Sequence, residues 1–280
     1  MVVLSGIFKV GEPVRGDNFF RLIAIVLLLG ALLGATPKQE SLLQDLNGDG
    51  EVRLLAFGDS ITAGVGDGIP PGEYVPSASG SESGGGYPAR LQDYLNVPVQ
   101  NAGNPGEDLA ERGVFRLVST VLSSNADVVI LYEGVNDSWS RTTQAEFKIA
   151  LQKAINVLRA LDKTTVVATL LPPCCDYSSL AYYASGYTAV IRDLARINQV
   201  PLAELDKTWL TSCSNPLACE FYNLPEGLHP NTLGYDAVAQ TFAAKLLGIN
   251  VYSASGAADL ESATGLPAGS VIVKPEVVNE

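Results

Sequence analysis

The chain has 280 residues, is 47% hydrophobic and holds a single histidine, His229. Such a composition suits one globular domain of roughly 200 residues with a full core, or two small ones, not a disordered or fibrous chain. One imidazole excludes metal catalysis that draws on several histidines. A net charge of −12, with 18 Lys+Arg against 30 Asp+Glu and no basic cluster, excludes nucleic acid as a partner.

Residues 1–37 read as an export signal. Lys9, Arg15 and Arg21 lead an uncharged apolar run, Leu22 to Ala35, that is shorter than the roughly 20 residues a spanning helix requires. Only Leu33 and Ala35 resemble a small-x-small cleavage pattern, so two fates fit: removal, giving a secreted or extracytoplasmic protein with no membrane span, or retention as an anchor.

Residues 38–50 form a linker ending in Asp45-Leu-Asn47-Gly-Asp49-Gly50. Oxygen side chains at positions one, three and five, then glycine at six, match the start of an EF-hand-like calcium loop. Position twelve is Ala56, so the usual bidentate carboxylate is missing. Asp45, Asn47 and Asp49 are either ligands of a structural calcium or parts of a polar turn.

From residue 51 to 248 the pattern alternates. Apolar, β-branched runs at 52–57, 97–100, 127–132, 164–171 and 201–205 predict strands, and apolar residues at three- and four-residue spacing predict helices over 87–95, 109–122, 143–161, 187–198 and 232–247. Strict alternation implies a three-layer α/β/α fold on a five-stranded parallel sheet, with the active site at the carboxyl ends of the strands. Residues 64–86, rich in glycine, proline and serine, read as an inserted loop, and 249–280 as a low-complexity tail whose apolar patch 270–274 is either an edge strand or unstructured.

In an oxidising compartment the cysteines become readable. Cys213 and Cys219 bracket an Asn-Pro turn and can pair, whereas adjacent Cys174 and Cys175 bond each other only with backbone strain; they are free, or one joins the 213/219 loop.

Four blocks carry chemistry. Phe57-Gly-Asp-Ser60-Ile-Thr-Ala-Gly64 follows the first strand and would present the Ser60 hydroxyl at the sheet rim. Asn101-Ala-Gly-Asn-Pro-Gly106-Glu follows the second, with glycines that let backbone N–H groups approach an oxyanion. Gly134-Val-Asn136-Asp137 ends the third, where the Asn136 amide can donate to that same oxyanion. Glu226-Gly-Leu-His229-Pro230 precedes the last helix and holds the one imidazole able to take a serine proton. Trp139 and Tyr132 flank the third block and are candidates to line the pocket, or belong to the core.

In this order the blocks resemble the SGNH subgroup of the GDSL hydrolases, a family of esterases and lipases, over roughly residues 52–247. The resemblance implies a flavodoxin-like fold, Ser60 as nucleophile, His229 as general base and then acid, and an oxyanion hole of the Ser60 N–H, a block-two glycine N–H and the Asn136 side chain. The glycine is Gly106, five residues after Asn101, with Gly103 in reserve. It implies no catalytic cofactor. Where the family usually has aspartate, this chain has Glu226, leaving a Ser60-His229-Glu226 triad or a Ser-His dyad. The expected protein is an exported serine esterase acting on an acylated carbohydrate, small or polymeric, or on a lipid acyl ester. The competing expectation is a non-catalytic glycan-binding surface domain on the same fold. Oligomeric state is left open.

Overall fold

A computed structural model describes residues 40–68, 85–140 and 142–276. The export segment 1–37 and most of the 64–86 insertion lie outside the described residues.

The sheet has five parallel strands, β1 (Leu54–Gly58), β2 (Val99–Gly103), β3 (Val128–Tyr132), β4 (Thr164–Ala168) and β5 (Leu202–Ala203), in the order β2-β1-β3-β4-β5. β1 and β3 are buried throughout, as their unbroken apolar runs require when helices cover both faces. The doubly wound order places a topological switch point at β1, between β2 and β3. Register aligns the carboxyl ends there: Gly58 pairs with Gly103 on one side and with Tyr132 on the other. A side chain at Gly58 would meet the Thr62 hydroxyl at 2.1 Å and the Tyr132 carbonyl at 2.4 Å, so glycine lets the chain turn sharply out of the sheet.

Helices α1 (Ser60–Ala63), α2 (Gly86–Leu95), α3 (Val114–Ser124), α4 (Val135–Ser140), α5 (Gln144–Ala160), α6 (Ser178–Asn198), α7 (Leu205–Ser212), α8 (Thr232–Leu247) and α9 (Gly256–Thr264) supply the outer layers. α2, α7 and α9 pack with α8 on one side, and α3 and α6 with α5 on the other. Local chemistry sets their ends. Thr143 and Glu146 form a reciprocal capping box at α5, and Gly248 takes the left-handed conformation that closes α8.

Two expected boundaries change. The 249–280 segment is no tail as far as residue 276: α9 buries Leu260, and Val273 is 2% exposed while Gln240 on α8 holds Ser270 and Ile272 through their backbones. The 270–274 patch is neither strand nor loose chain; Gln240 of α8 and Ser212 of α7 hold its backbone. Composition could not show this, because the apolar partners lie on α8. Residues 40–50 of the expected linker are also docked, since Asp127 accepts from the backbones of Leu46, Asn47 and Arg53.

Cys213 and Cys219 form a disulfide. Neither joins Cys174 or Cys175.

Candidate active site

Ser60 opens α1 immediately after β1. Asp59 caps the helix, its side chain accepting the Ile61 N–H at 2.9 Å, and this fixes the turn that aims Ser60 outward. As the first helical residue, Ser60 has a backbone N–H with no intrahelical acceptor. Ser60 Oγ lies 3.0 Å from His229 Nε2, and His229 Nδ1 lies 2.6 Å from Glu226 Oε1. The second Glu226 oxygen accepts the His229 backbone N–H at 3.1 Å. The longer side chain thus spans the three-residue gap by folding back over its own turn, which Gly227 permits at φ +80°.

Gly106 and Asn136 face the same space. Gly106 adopts φ +78° with no atom within 4 Å of where a side chain would begin, so its backbone is open to a substrate oxygen. Gly103 is not: a side chain there would strike the Ala63 backbone N at 2.1 Å, so it is a packing glycine under α1. Asn136 Nδ2 donates to the Glu107 carbonyl at 2.8 Å, which orients the amide and leaves its second hydrogen for an oxyanion.

These groups line one cavity of about 340 Å³ together with Val65, Pro105, Trp139, Tyr177 and Leu228. Trp139 is 60% exposed and packs against Tyr177 with ring centres 5.4 Å apart. Tyr132, the other aromatic candidate, lies instead in the core against Tyr87 and Phe242. Its position on β3 points it into the helix layer rather than over the rim. A larger groove of about 720 Å³ runs along α5 past Lys148, Ile149 and Lys153, with none of the four blocks in its lining.

Sequence reading missed what lies behind the cavity. Arg116 on α3 donates from Nε to both Glu107 oxygens at 3.0 and 2.9 Å, from Nη1 to the Ala102 carbonyl at 3.0 Å, and from Nη2 to the Gly58 carbonyl at 3.4 Å. One guanidinium therefore ties the end of β1, the end of β2 and the loop whose carbonyl holds Asn136. Burial would raise Glu107, but the Arg116 hydrogen bonds outweigh it and hold the carboxyl below its usual range. The available signal was an arginine one position before Leu117 on the buried side of an amphipathic helix; nothing in sequence named its acceptors.

Burial raises the other carboxyls behind the site. Burial pushes Asp59 up to about 7, with repulsion from Asp137 and Glu107 adding to it. Burial likewise raises Glu133 well above the usual range, with repulsion from Asp59 and Glu107 adding to it. Asp137 is raised by burial too, although it accepts from the Leu109 and Ala110 backbones at 2.8 and 3.0 Å.

Both stems of the 64–86 insertion are fixed. Buried Asp67 pairs with Arg90 at 2.7 Å and accepts the Gly86 N–H at 2.7 Å, and Tyr235 donates to the Val65 carbonyl at 2.7 Å. In the candidate calcium loop, Asp45 accepts from the Gly48 and Gly50 N–H groups at 2.7 and 2.8 Å, Asn47 accepts from Asp49, and Arg53 pairs with Asp49 and Glu51. The oxygens that would take a cation are engaged by the chain's own donors.

A family model, the GDSL-like Lipase/Acylhydrolase family, matches residues 56–237. The chain belongs to this family. The match spans all four blocks, and with it the protein is a carboxylic ester hydrolase. Among solved structures, an acetyl xylan esterase is 27% identical, covers 68% of this chain and 98% of its own, with a TM-score of 0.55. An acetylxylan esterase from Geobacillus stearothermophilus is 20% identical over 71% of this chain and 95% of its own, TM-score 0.53. A G-D-S-L family protein from Desulfitobacterium hafniense DCB-2, described as lipolytic, is 17% identical over 70% of this chain and all of its own, TM-score 0.57. The last two carry the fold alone. No curated protein matches the sequence.

Proposed function

We propose that this family member removes short acyl groups, acetyl foremost, from carbohydrate esters through an acyl-enzyme on Ser60. The observation that carries this is the hydrogen-bonded line Ser60–His229–Glu226 opening on a small cavity with an exposed tryptophan at its edge. His229 Nε2 accepts the Ser60 proton as Oγ attacks the ester carbonyl. Glu226 holds Nδ1–H in place and stabilises the imidazolium. The developing oxyanion is met by the Ser60 and Gly106 N–H groups and by Asn136 Nδ2. Collapse passes the proton from His229 to the leaving alcohol; water, activated by the same imidazole, then releases the acid. No step draws on a metal or cofactor.

The size of the cavity, about 340 Å³ shared between acyl and alcohol parts, favours a short acyl group. Trp139 offers a flat, amphipathic face suited to a sugar ring. The 27% identical acetyl xylan esterase supports the same substrate class. A purely glycan-binding domain would have no use for the three-residue line.

Release of acetate from acetylated xylo-oligosaccharides, beside a series of p-nitrophenyl esters from acetyl to palmitoyl, tests the reading. Acetyl should be turned over fastest, and Trp139→Ala should raise KM for the sugar ester while leaving that for p-nitrophenyl acetate unchanged. A preference for long acyl chains overturns it. We further propose that the protein is exported, on the charge and apolar pattern of residues 1–37. Cell fractionation that leaves the esterase wholly in the cytoplasm contradicts this.

A further inference from the structure

Cys174 and Cys175 stand beside the catalytic turn and have no part in the mechanism above. In extended chain, neighbouring side chains point to opposite sides, which is why adjacent cysteines do not ordinarily meet. Here Cys174 is extended, but Cys175 sits at φ +58°, the left-handed region that L-residues other than Asn and Asp rarely enter. The result folds both side chains to one side, and the two Sγ atoms lie 2.7 Å apart, closer than two unbonded thiols can rest.

The surrounding backbone holds this arc in place. Tyr177 N–H donates to the Cys174 carbonyl at 2.9 Å, Cys174 N–H to the Gly227 carbonyl at 2.9 Å, and Asp176 N–H to the Pro225 carbonyl at 3.1 Å. The last two bonds straddle Glu226. Gly227 rests directly on Cys174: a side chain there would meet the Cys174 carbonyl oxygen at 2.4 Å and its Sγ at 2.8 Å. On the arc's other flank Tyr177 lines the substrate cavity and supports Trp139.

We propose that Cys174 and Cys175 are an oxidation site that closes to a vicinal disulfide and thereby stiffens the arc under Glu226. The oxidant is a small-molecule disulfide such as glutathione disulfide. Partly exposed Cys175 attacks as thiolate, forming a mixed disulfide and expelling one thiolate. Buried Cys174 then loses its proton to solvent and attacks the Cys175 sulfur, expelling the second. Two protein thiols are oxidised and the reagent disulfide is reduced to two thiols. Burial pushes the Cys174 thiol up to about 11, which suits the resolving position rather than the first attack. Reduction returns two thiols that must move apart, and Gly227 and the 225–227 turn lie in the way, so the movement reaches the carboxylate that orients His229.

Trypsin separates the sites: residues 164–192 hold only Cys174 and Cys175, and residues 208–245 only Cys213 and Cys219. The full chain is incubated with glutathione disulfide, denatured in an alkylating reagent and digested. The 164–192 peptide should appear unlinked, unlabelled and lighter by two hydrogens, and should take two labels only after reduction. Two labels without reduction, a retained glutathione, or a link to the 208–245 peptide each overturn the proposal. A second arm reads coupling to the site. Treatment with a phosphine reductant should lower wild-type kcat by about threefold or more and leave kcat of the Cys174→Ser/Cys175→Ser variant unmoved. An equal fall in both assigns the effect to the Cys213–Cys219 bridge and overturns the coupling.

Discussion

Two glutamates flank the cavity, and they are held in opposite ways. Glu226 keeps 35% of its side chain exposed and has His229 as its principal partner, through the ring and the backbone. Glu107 is 2% exposed and locked by Arg116 and Asn104. A carboxylate that must stabilise a charge appearing and vanishing on an imidazole gains from a single directed bond. One that must keep an amide aimed at an oxyanion gains from being immobile, with its charge neutralised by a neighbour. In the proposed mechanism the difference separates the group that assists proton transfer from the one that preorganises the oxyanion hole.

The sharpest way to break this division is to remove the moving parts. Ser60→Ala and His229→Ala should each cut kcat by about a thousandfold or more while circular dichroism stays unchanged, because no second histidine exists to substitute. Glu226→Ala should cost more than tenfold in kcat with KM nearly constant; a smaller loss makes the site a Ser-His dyad and removes one side of the comparison. Arg116→Met attacks the fixed side. Freed of its clamp, the Glu107 loop no longer pins Asn136, and kcat should fall by roughly tenfold to a hundredfold, short of outright loss of an oxyanion donor. Because Glu107 is then a buried unpaired carboxylate, Tm should fall as well, whereas Glu226→Ala should leave Tm close to wild type.

Much of the site was legible because its residues follow strand ends in fixed blocks: a Gly-Asp-Ser after β1 and an Asn-Asp after β3 need no tertiary information to be noticed. Arg116 was not, since its four acceptors come from three separated segments and meet only once the sheet is assembled. The same holds for α7 and for residues 249–276, whose apolar positions are too few to show a period and are completed by α8. Tyr132 could not be placed from sequence because its side of β3 depends on which helices cover the sheet. The adjacency of Cys174 and Cys175 predicted that they would stay apart; a left-handed Cys175, imposed by contacts with residues 225–227, reverses it.

The buried acids sharpen the comparison through pH. With Asp59 raised to about 7 in the fold, the unfolded chain loses that proton first, so the native state binds more protons between about pH 4 and pH 7 and stability declines across that window as pH rises. Asp59→Asn keeps an acceptor for the Ile61 N–H and should flatten the fall in Tm between pH 5 and pH 8; an unchanged slope would show that Asp59 is ionised throughout. The smallest effect expected is from chelation. EDTA should leave ester turnover unchanged, because every proposed step runs through the chain's own side chains and backbone N–H groups, and calcium should shift Tm by little, since a cation at Asp49 must first displace Arg53.

The central claim is a nucleophilic Ser60 activated by His229, and a fluorophosphonate reads it directly. Intact-mass analysis of the treated protein should give one adduct, located in the tryptic peptide 54–90 that contains Ser60, and His229→Ala should suppress it. A folded wild-type protein that takes no adduct, or takes it elsewhere, contradicts the account.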